Sequence, residues 1–332
     1  MYARVRPLLF RLDPEFAHTC TLRLLQLAGL PTFGFILKKL LSVSEAASPV
    51  ELFGLRFPNC LGLAAGYDKD GLAWRGLARL GFGHIEIGSV TPKPQPGNPK
   101  PRLFRLAEDQ ALVNRMGFPS RGAEFVLKRL SGFRPDRLIV GINLGINSST
   151  PLDKAAEDYL LLMDNFKLVS DYVVINLSSP NTPGLRTLQT GRHTDDLLGA
   201  LTGRKMRPLL VKLSPDLSEI ELETIVDKLF RYGIDGVIAT NTSTSLPELQ
   251  SPLRDEIGGL SGAPLTARSR NFVSRIYSIT GGRLPIIAVG GIMSADDAKA
   301  SLDAGASLVQ IFTGLIYKGP GMVREILRAT AG

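Results

Sequence analysis

Residues 284–291 read Leu-Pro-Ile-Ile-Ala-Val-Gly-Gly: a short, unbroken apolar run that stops on two glycines. Such a run, bounded by turn residues, predicts a strand covered on both faces. The same grammar recurs upstream and downstream. Strands are expected at Cys60–Ala64, His84–Ile87, Leu138–Asn143, Tyr172–Asn176, Pro208–Leu213, Gly236–Ala239, Leu284–Val289 and Ser307–Ile311. Helix-like stretches alternate with them at Gly71–Leu80, Ala123–Leu130, Leu152–Val169, Asp195–Leu201, Ser218–Arg231, Thr266–Thr280, Ala295–Ala304 and Met322–Ala329. Strand–helix alternation repeated eight times predicts a (β/α)8 TIM barrel, in the α/β class. A doubly wound open sheet is weakened because no Gly-x-Gly-x-x-Gly follows the first strand. Leu52–Phe57 is expected as one extra strand closing the barrel floor.

The first forty residues read differently and predict an N-terminal helical extension. Asp13-Pro14-Glu15 is a helix start, with a capping oxygen, a proline where no N–H is needed and an acid at the positive end. That helix should run to about Leu27, where Gly29 and Pro31 stop it. Phe33, Ile36, Leu37, Leu40 and Leu41 then share one face of a second helix. The expected division is residues 1–44 as this extension and 45–332 as the barrel.

Charge and composition narrow the partners. The 332 residues carry a net charge of +8, which favours an anionic partner. Residues 1–41 hold Arg4, Arg6, Arg11, Arg23, Lys38 and Lys39 against Asp13 and Glu15, six minus two, or +4. No Lys/Arg block marks a nucleic-acid arm, so no nucleic acid is expected. No apolar run reaches the ~18 residues of a transmembrane helix, and the acids interrupt any signal-peptide core. The helical extension is then either a hairpin packed on the core or an anchor in the boundary of an anionic membrane. Cys20 and Cys60, with three histidines in no ligand spacing, predict neither a metal site nor a disulfide framework and suit a reducing compartment.

In a barrel the chemistry sits where strands end. The strand ends here carry Ala64 to Lys69, Ser89, Asn143, Asn176, Lys212, Thr240-Asn241-Thr242, Gly290-Gly291 and Phe312-Thr313-Gly314. Core packing would take apolar residues; a ring of amides, hydroxyls and lysines suits a planar, polar, anionic ligand set. Glycine pairs after the late strands, with Ser261-Gly262, offer backbone N–H groups to a phosphate. Ser179 follows the fourth strand, with no acid or Gly-x-Ser-x-Gly elbow for a hydrolase triad. As a weak base it would suit an acidic C–H beside a carbonyl, relayed through Thr182 or water.

Several of these stretches together resemble the dihydroorotate dehydrogenases. They are Ala-Gly-Tyr-Asp-Lys-Asp-Gly (65–71), Gly-Ser-Val-Thr-Pro-Lys-Pro-Gln-Pro-Gly-Asn (88–98), Asn-Arg-Met-Gly-Phe (114–118), Ser-Ser-Pro-Asn-Thr-Pro-Gly-Leu-Arg (178–186), Val-Lys-Leu-Ser-Pro-Asp (211–216), Asn-Thr (241–242) and Gly-Gly-Leu-Ser-Gly (258–262). Serine at 179, where soluble members carry cysteine, and the helical extension resemble the membrane-associated, quinone-reducing class. The resemblance implies oxidation of (S)-dihydroorotate to orotate in pyrimidine biosynthesis, with FMN as cofactor, a membrane quinone as acceptor and Ser179 as catalytic base. It implies FMN contacts at Ala65, Gly66, Tyr67, Asp68, Lys69, Ser89, Asn143, Asn176, Lys212, Thr240, Ser261, Gly262, Gly291, Phe312 and Thr313. It implies substrate contacts at Lys69, Asn114, Arg115, Met116, Gly117, Phe118, Asn176, Asn181, Asn241 and Thr242. His18 and Arg105 match positions near a quinone tunnel. Tyr67 and Phe312 depart from the family's usual Leu or Phe and Tyr. A peripheral location on the cytoplasmic face of a bacterial inner membrane is implied as well. The rivals are a flavin barrel acting on another pyrimidine, such as a dihydropyrimidine or a dihydrouridine in RNA, and a non-catalytic membrane-docking barrel.

Overall fold

The computed structural model describes residues 2–30, 48–182, 184–189, 193–245 and 247–331. Eight parallel strands close into a barrel: β1 (Leu61–Leu63), β2 (His84–Val90), β3 (Ile139–Leu144), β4 (Tyr172–Asn176), β5 (Leu209–Leu213), β6 (Gly236–Ala239), β7 (Ile286–Val289) and β8 (Leu308–Ile311). β8 returns to β1, with Val309 beside Leu61 and Ile311 beside Leu63. Every expected barrel strand is present, six of them with slightly shifted ends. Side chains alternate across each strand. Tyr172, Val174, Leu210, Ile238, Ile287 and Leu308 pack inside the barrel. Val173, Ile175, Leu209, Val211 and Val237 face outward into the layer beneath the helices.

The floor differs from the expectation of one strand. Val50–Leu52 and Leu55–Phe57 form an antiparallel hairpin. Phe53 and Gly54, both at positive φ, make its turn, and the glycine was the available signal for it. Phe57 is fully buried and meets the His84 ring edge-on at 5.4 Å, plugging the barrel from below.

Among the described residues two helices precede the barrel, α1 (Tyr2–Leu9) and α2 (Pro14–Ala28). Asp13 caps α2 by accepting the Phe16 N–H at 2.9 Å. α1 was not expected, because Pro7 lies inside it. In so short a helix a proline removes few internal bonds, and contacts with the far end of the chain hold α1 in place. Tyr2 and Arg6 donate to the carbonyls of Ile316 and Tyr317, and Phe10 meets the Tyr317 ring at 5.2 Å. The helix expected around Phe33–Leu41 lies outside the described residues.

The remaining helices are α3 (Trp74–Ala78), α4 (Ala123–Leu130), α5 (Ala155–Phe166), α6 (His193–Thr202), α7 (Glu219–Arg231), α8 (Thr266–Thr280), α9 (Ala295–Asp303), α10 (Thr313–Lys318) and α11 (Gly321–Ala329). α3 is shorter than Gly71–Leu80. The Asp68 carboxylate takes the backbone N–H groups of Leu72 and Ala73 at 2.8 and 2.7 Å, holding that segment as a turn. α2 packs on α3 so closely that a Cβ at Gly76 would lie 1.9 Å from the Leu25 carbonyl oxygen. A small antiparallel sheet of Leu103–Leu106, Ala111–Asn114 and Gly259–Gly262 sits on the rim. It was not expected, because its last strand is glycine-rich and reads as a loop.

Removing the floor plug with Phe57→Ala should cost about 3–5 kcal/mol, the usual loss for a buried phenylalanine. Glu51→Ala on the exposed side of the same hairpin should cost little. Urea unfolding of both variants checks this, and equal midpoints would deny Phe57 the role of plug.

Candidate active site

The carboxyl ends of the strands converge on one cavity of about 640 Å³. β1 delivers Ala65, Gly66, Tyr67 and Lys69, β2 Ser89, β4 Asn176 and β5 Lys212. The segments after β6, β7 and β8 bring Thr240, Asn241, Thr242, Gly291, Phe312 and Thr313. The rim sheet and the loop after it add Asn114, Met116, Gly117, Phe118, Ser261 and Gly262, and the loop after β4 brings Ser179 and Asn181. Three expected residues do not line the cavity. Asp68 is spent on capping its own turn. Arg115 turns outward to Glu256 at 2.7 Å and lies over the Phe104 ring. Asn143 is fully buried one layer lower.

The amides form a series of three and a separate pair. Asn143 Oδ1 accepts from Ser89 Oγ and from Asn176 Nδ2, the latter at 3.1 Å. Asn176 Oδ1 accepts from Asn241 Nδ2 at 3.2 Å, and Asn181 Nδ2 donates to Asn114 Oδ1 at 3.2 Å. Below them lies a group that sequence reading did not single out, Glu86. It is fully buried and accepts from Asn143 Nδ2 at 2.7 Å and Gln310 Nε2 at 2.8 Å. Its sequence signal is an acid inside an otherwise apolar strand, His84–Val90, which burial makes costly unless partnered.

Two lysines face the cavity, Lys212 buried and Lys69 half-buried. Lys69 Nζ donates to the Gly66 carbonyl at 2.9 Å. Burial pushes its ammonium pKa down, opposed by Asp70 and Glu15. Burial pushes Lys212 down too, with Glu86 as the opposing charge. At the far end, Thr313 Oγ1 donates to Ser261 Oγ at 2.9 Å. The chain there passes so close that a Cβ on Gly291 would sit 2.3 Å from the Thr266 backbone.

Ser179 is buried, and its Oγ accepts the Asn181 N–H at 3.3 Å. Its loop is fastened by Arg186, another residue to which the sequence assigned no role. The guanidinium donates to the carbonyls of Ser178 and Thr242, both at 3.2 Å, and to Asp216 at 2.9 Å. Burial alone would raise the Asp216 carboxyl. Hydrogen bonds from Ser243 and Thr244, with the charge of Arg186, outweigh it and hold the pKa below its ordinary value.

The same cavity runs past Tyr67 and Phe312 to α1 and α2, where Leu9, Ala17 and Leu25 line it. The Tyr67 ring stands edge-on to His18 at 5.1 Å and to Phe312 at 5.7 Å. Arg105 donates to the carbonyls of Phe10 and Leu12 at 3.2 and 2.7 Å and lies over the Phe10 ring. A larger cleft of about 970 Å³ reaches Tyr67 and Lys69 from the solvent side between α2 and the barrel, but touches none of the rim asparagines. We assign the chemistry to the smaller cavity for that reason. Among the described residues no helix is long and apolar enough to cross a membrane, and no cluster suits a metal.

A filled barrel whose rim turns amides, hydroxyls and two lysines into one cavity, with a glycine-lined end suited to an anion, has the make-up of a flavin-type barrel oxidoreductase. Comparison with known proteins is specific. The profile of the dihydroorotate dehydrogenase family matches residues 48–331. The chain is similar to the dihydroorotate dehydrogenase (quinone) of Azoarcus sp. strain BH72, 48% identical across 100% of this chain and 98% of that one. It is similar to the one from Aromatoleum aromaticum, 47% identical across 99% and 95%. Among solved structures, that of the Eimeria tenella enzyme with ferulenol superimposes with a TM-score of 0.88, 36% identity and coverage of 97% and 93%. The chain belongs to the dihydroorotate dehydrogenase family.

His18 makes the seating of α2 sensitive to acid. Burial and the charge of Lys69 push its pKa down from 6.5 to about 4, against the Tyr67 backbone and Glu15. Above pH 6.5 the imidazole is neutral in both folded and unfolded chains. Between 6.5 and about 4 only the unfolded or undocked form takes up the proton, so stability falls as pH falls through that window. Hydrogen-exchange protection factors in α2, taken relative to the intrinsic exchange rate at each pH, should therefore fall from pH 7 to pH 5, and His18→Gln should remove most of that fall. Identical pH dependence in both proteins would count against a neutral, half-buried His18.

Proposed function

We propose that this protein oxidises (S)-dihydroorotate to orotate with FMN bound at the rim, and delivers the electrons to a membrane quinone. The observation that carries this reading is the single cavity running from Ser179 and the asparagines to the groove between α1 and α2. It would let a water-soluble pyrimidine and an apolar quinone meet one cofactor from two sides.

The chain's own groups fit such a cofactor. Lys212 is buried, faces the cavity and has no hydrogen-bond partner among the described residues, so a cation waits there for an acceptor. Ser261, Thr313 and the bare backbone at Gly262 and Gly291 suit a phosphate. Bound FMN would supply the redox chemistry, taking a hydride from C6 of the substrate and passing electrons on. The protein binds and orients. Asn114, Asn176, Asn181 and Asn241 offer donors and acceptors in the pattern of a flat pyrimidine, and Lys69 supplies a positive charge beside both ligands. Ser179 removes the proton from C5. An isolated serine is a poor base, so its proton must leave through Thr182 or a water. The loop clamp by Arg186 keeps Oγ at a fixed point while this happens.

Residues 1–44 would be the quinone-access segment and 45–332 the cofactor barrel. Leu8, Phe16, Leu24, Leu27 and Leu30 are exposed on the two helices, flanked by Arg4, Arg11 and Arg23. Apolar side chains beside cations suit a peripheral contact with anionic lipid, which on this reading is the cytoplasmic face of a bacterial inner membrane.

Anaerobic mixing with dihydroorotate, followed by the loss of flavin colour, tests cofactor and substrate together. Ser179→Ala should keep the flavin and bind orotate but bleach roughly 10²–10⁴-fold more slowly. Bleaching at the wild-type rate would remove Ser179 as the base. The membrane side is checked separately with Leu24→Glu/Leu27→Glu. This variant should bind phosphatidylglycerol vesicles weakly and turn over long-chain quinone slowly, while reduction of a soluble dye continues. Unchanged vesicle binding would place the membrane contact elsewhere.

A further inference from the structure

The rim amides share a common polarity, and one buried carboxylate accounts for it. Each asparagine amide has a donor end and an acceptor end and can be inserted either way round. Glu86 breaks that symmetry, because a carboxylate offers acceptors only. Its Oε1 takes Asn143 Nδ2 and its Oε2 takes Gln310 Nε2. Reversing Asn143 would set two oxygens against each other, so Nδ2 points down and Oδ1 points up. That oxygen receives Ser89 Oγ and Asn176 Nδ2. With its Nδ2 committed, Asn176 must present Oδ1 to its other neighbours, and there it accepts from Asn241 Nδ2 and Ser178 Oγ, each at 3.2 Å. Asn241 is then fixed as well: its Nδ2 reaches Ser178 Oγ at 2.8 Å and its Oδ1 accepts the Thr242 N–H at 2.8 Å. Three amides stand in series above a single group whose two oxygens both accept. The other titratable groups in this part of the interior are Lys212 above it and Tyr172 and His84 below it. None of them is hydrogen-bonded to Asn143.

We infer that Glu86 is a positioning residue: from beneath the site it sets the donor–acceptor sense of Asn143, Asn176 and Asn241, and through them the pattern that recognises the pyrimidine ring. The inference rests on the reading of this cavity as the dihydroorotate site. Glu86 touches neither ligand. It acts through hydrogen-bond direction, so an isosteric change that alters direction alone should be felt at the substrate.

Glu86→Gln keeps the shape and introduces an NH₂ group, so that Asn143 can turn over. We expect the variant to retain flavin but bind orotate about tenfold to a hundredfold more weakly, as when a buried polar partner is left unpaired. Orotate binding is read from the perturbed flavin spectrum, and KM for dihydroorotate should rise more than kcat falls. Tyr172→Phe removes a hydroxyl from the barrel interior below Glu86, away from the cavity lining and from the hydrogen bonds of Asn143. It should leave orotate affinity close to wild type. Wild-type orotate affinity in Glu86→Gln, or equal losses in both variants, would overturn the inference. If Glu86→Gln does not fold, neutron diffraction of the wild-type holoprotein decides. Deuterium on the Asn143 nitrogen facing Glu86 supports the inference, and deuterium facing Ser89 overturns it. Failure of the underlying reading looks different: wild-type protein would then neither bind orotate nor lose its flavin colour with dihydroorotate.

Discussion

A barrel of eight strands has no room for water along its axis, so every polar group placed inside must be satisfied by another side chain or by a ligand. Here the lower interior is closed by Phe57, Tyr172, Leu308 and their neighbours, while the upper layer holds amides, hydroxyls and an ammonium. The hydrogen bonds from Glu86 up to Asn241 reconcile the two. They let a dry core end in a polar surface with Asn143, Asn176 and Asn241 all partnered, while Gln310 Oε1 and the His84 and Tyr172 polar atoms below stay unpartnered. Preorganised dipoles of this kind are worth more than mobile ones, because no reorganisation is needed at the moment of reaction.

The rest of the molecule can be understood as support for that surface. The rim sheet carries Asn114 and Ser261 in from the side. Arg186 and Asp216 tie the loop after β4 to the loop after β6, so that Ser179 and Thr242 keep a fixed separation. Glu15 on α2 reaches Arg102 at 2.7 Å, linking the N-terminal helices to the segment that leads into the rim sheet. Tyr67 is shared: its backbone belongs to the loop after β1, and its ring faces His18 and Phe312 in the passage between the helices and the rim.

Much of this was legible in the residues. The strands were readable because a parallel strand buried on both faces is a continuous apolar run, and Tyr172–Asn176 and Gly236–Ala239 were bounded to the residue. The rim polar groups were legible because they interrupt those runs at their ends. What could not be read depends on contacts distant in sequence. α1 has a proline and no cap, and only Ile316 and Tyr317 show why it is helical. Asp68 and Arg115 belong to motifs that mark the family, yet their side chains serve the turn and the surface. No pattern of neighbours could distinguish those duties from ligand contact. Glu86 was visible as an oddity, but its partners come from β3 and β8, and only closure of the barrel brings them together.

The docking of α1 against α10 also orders events during synthesis. Tyr2 and Arg6 leave a ribosome well before the carbonyls they bind, those of Ile316 and Tyr317, which lie 314 and 311 residues further on. Chains longer than a single small domain expose apolar surface while they wait for distant partners. The α1 segment and its neighbours, with Val5, Leu8 and Phe16 uncovered, must therefore remain undocked until residues 316–317 emerge. A lipid surface or a chaperone that covers them in that interval would shield a part of the protein whose intramolecular partner comes late.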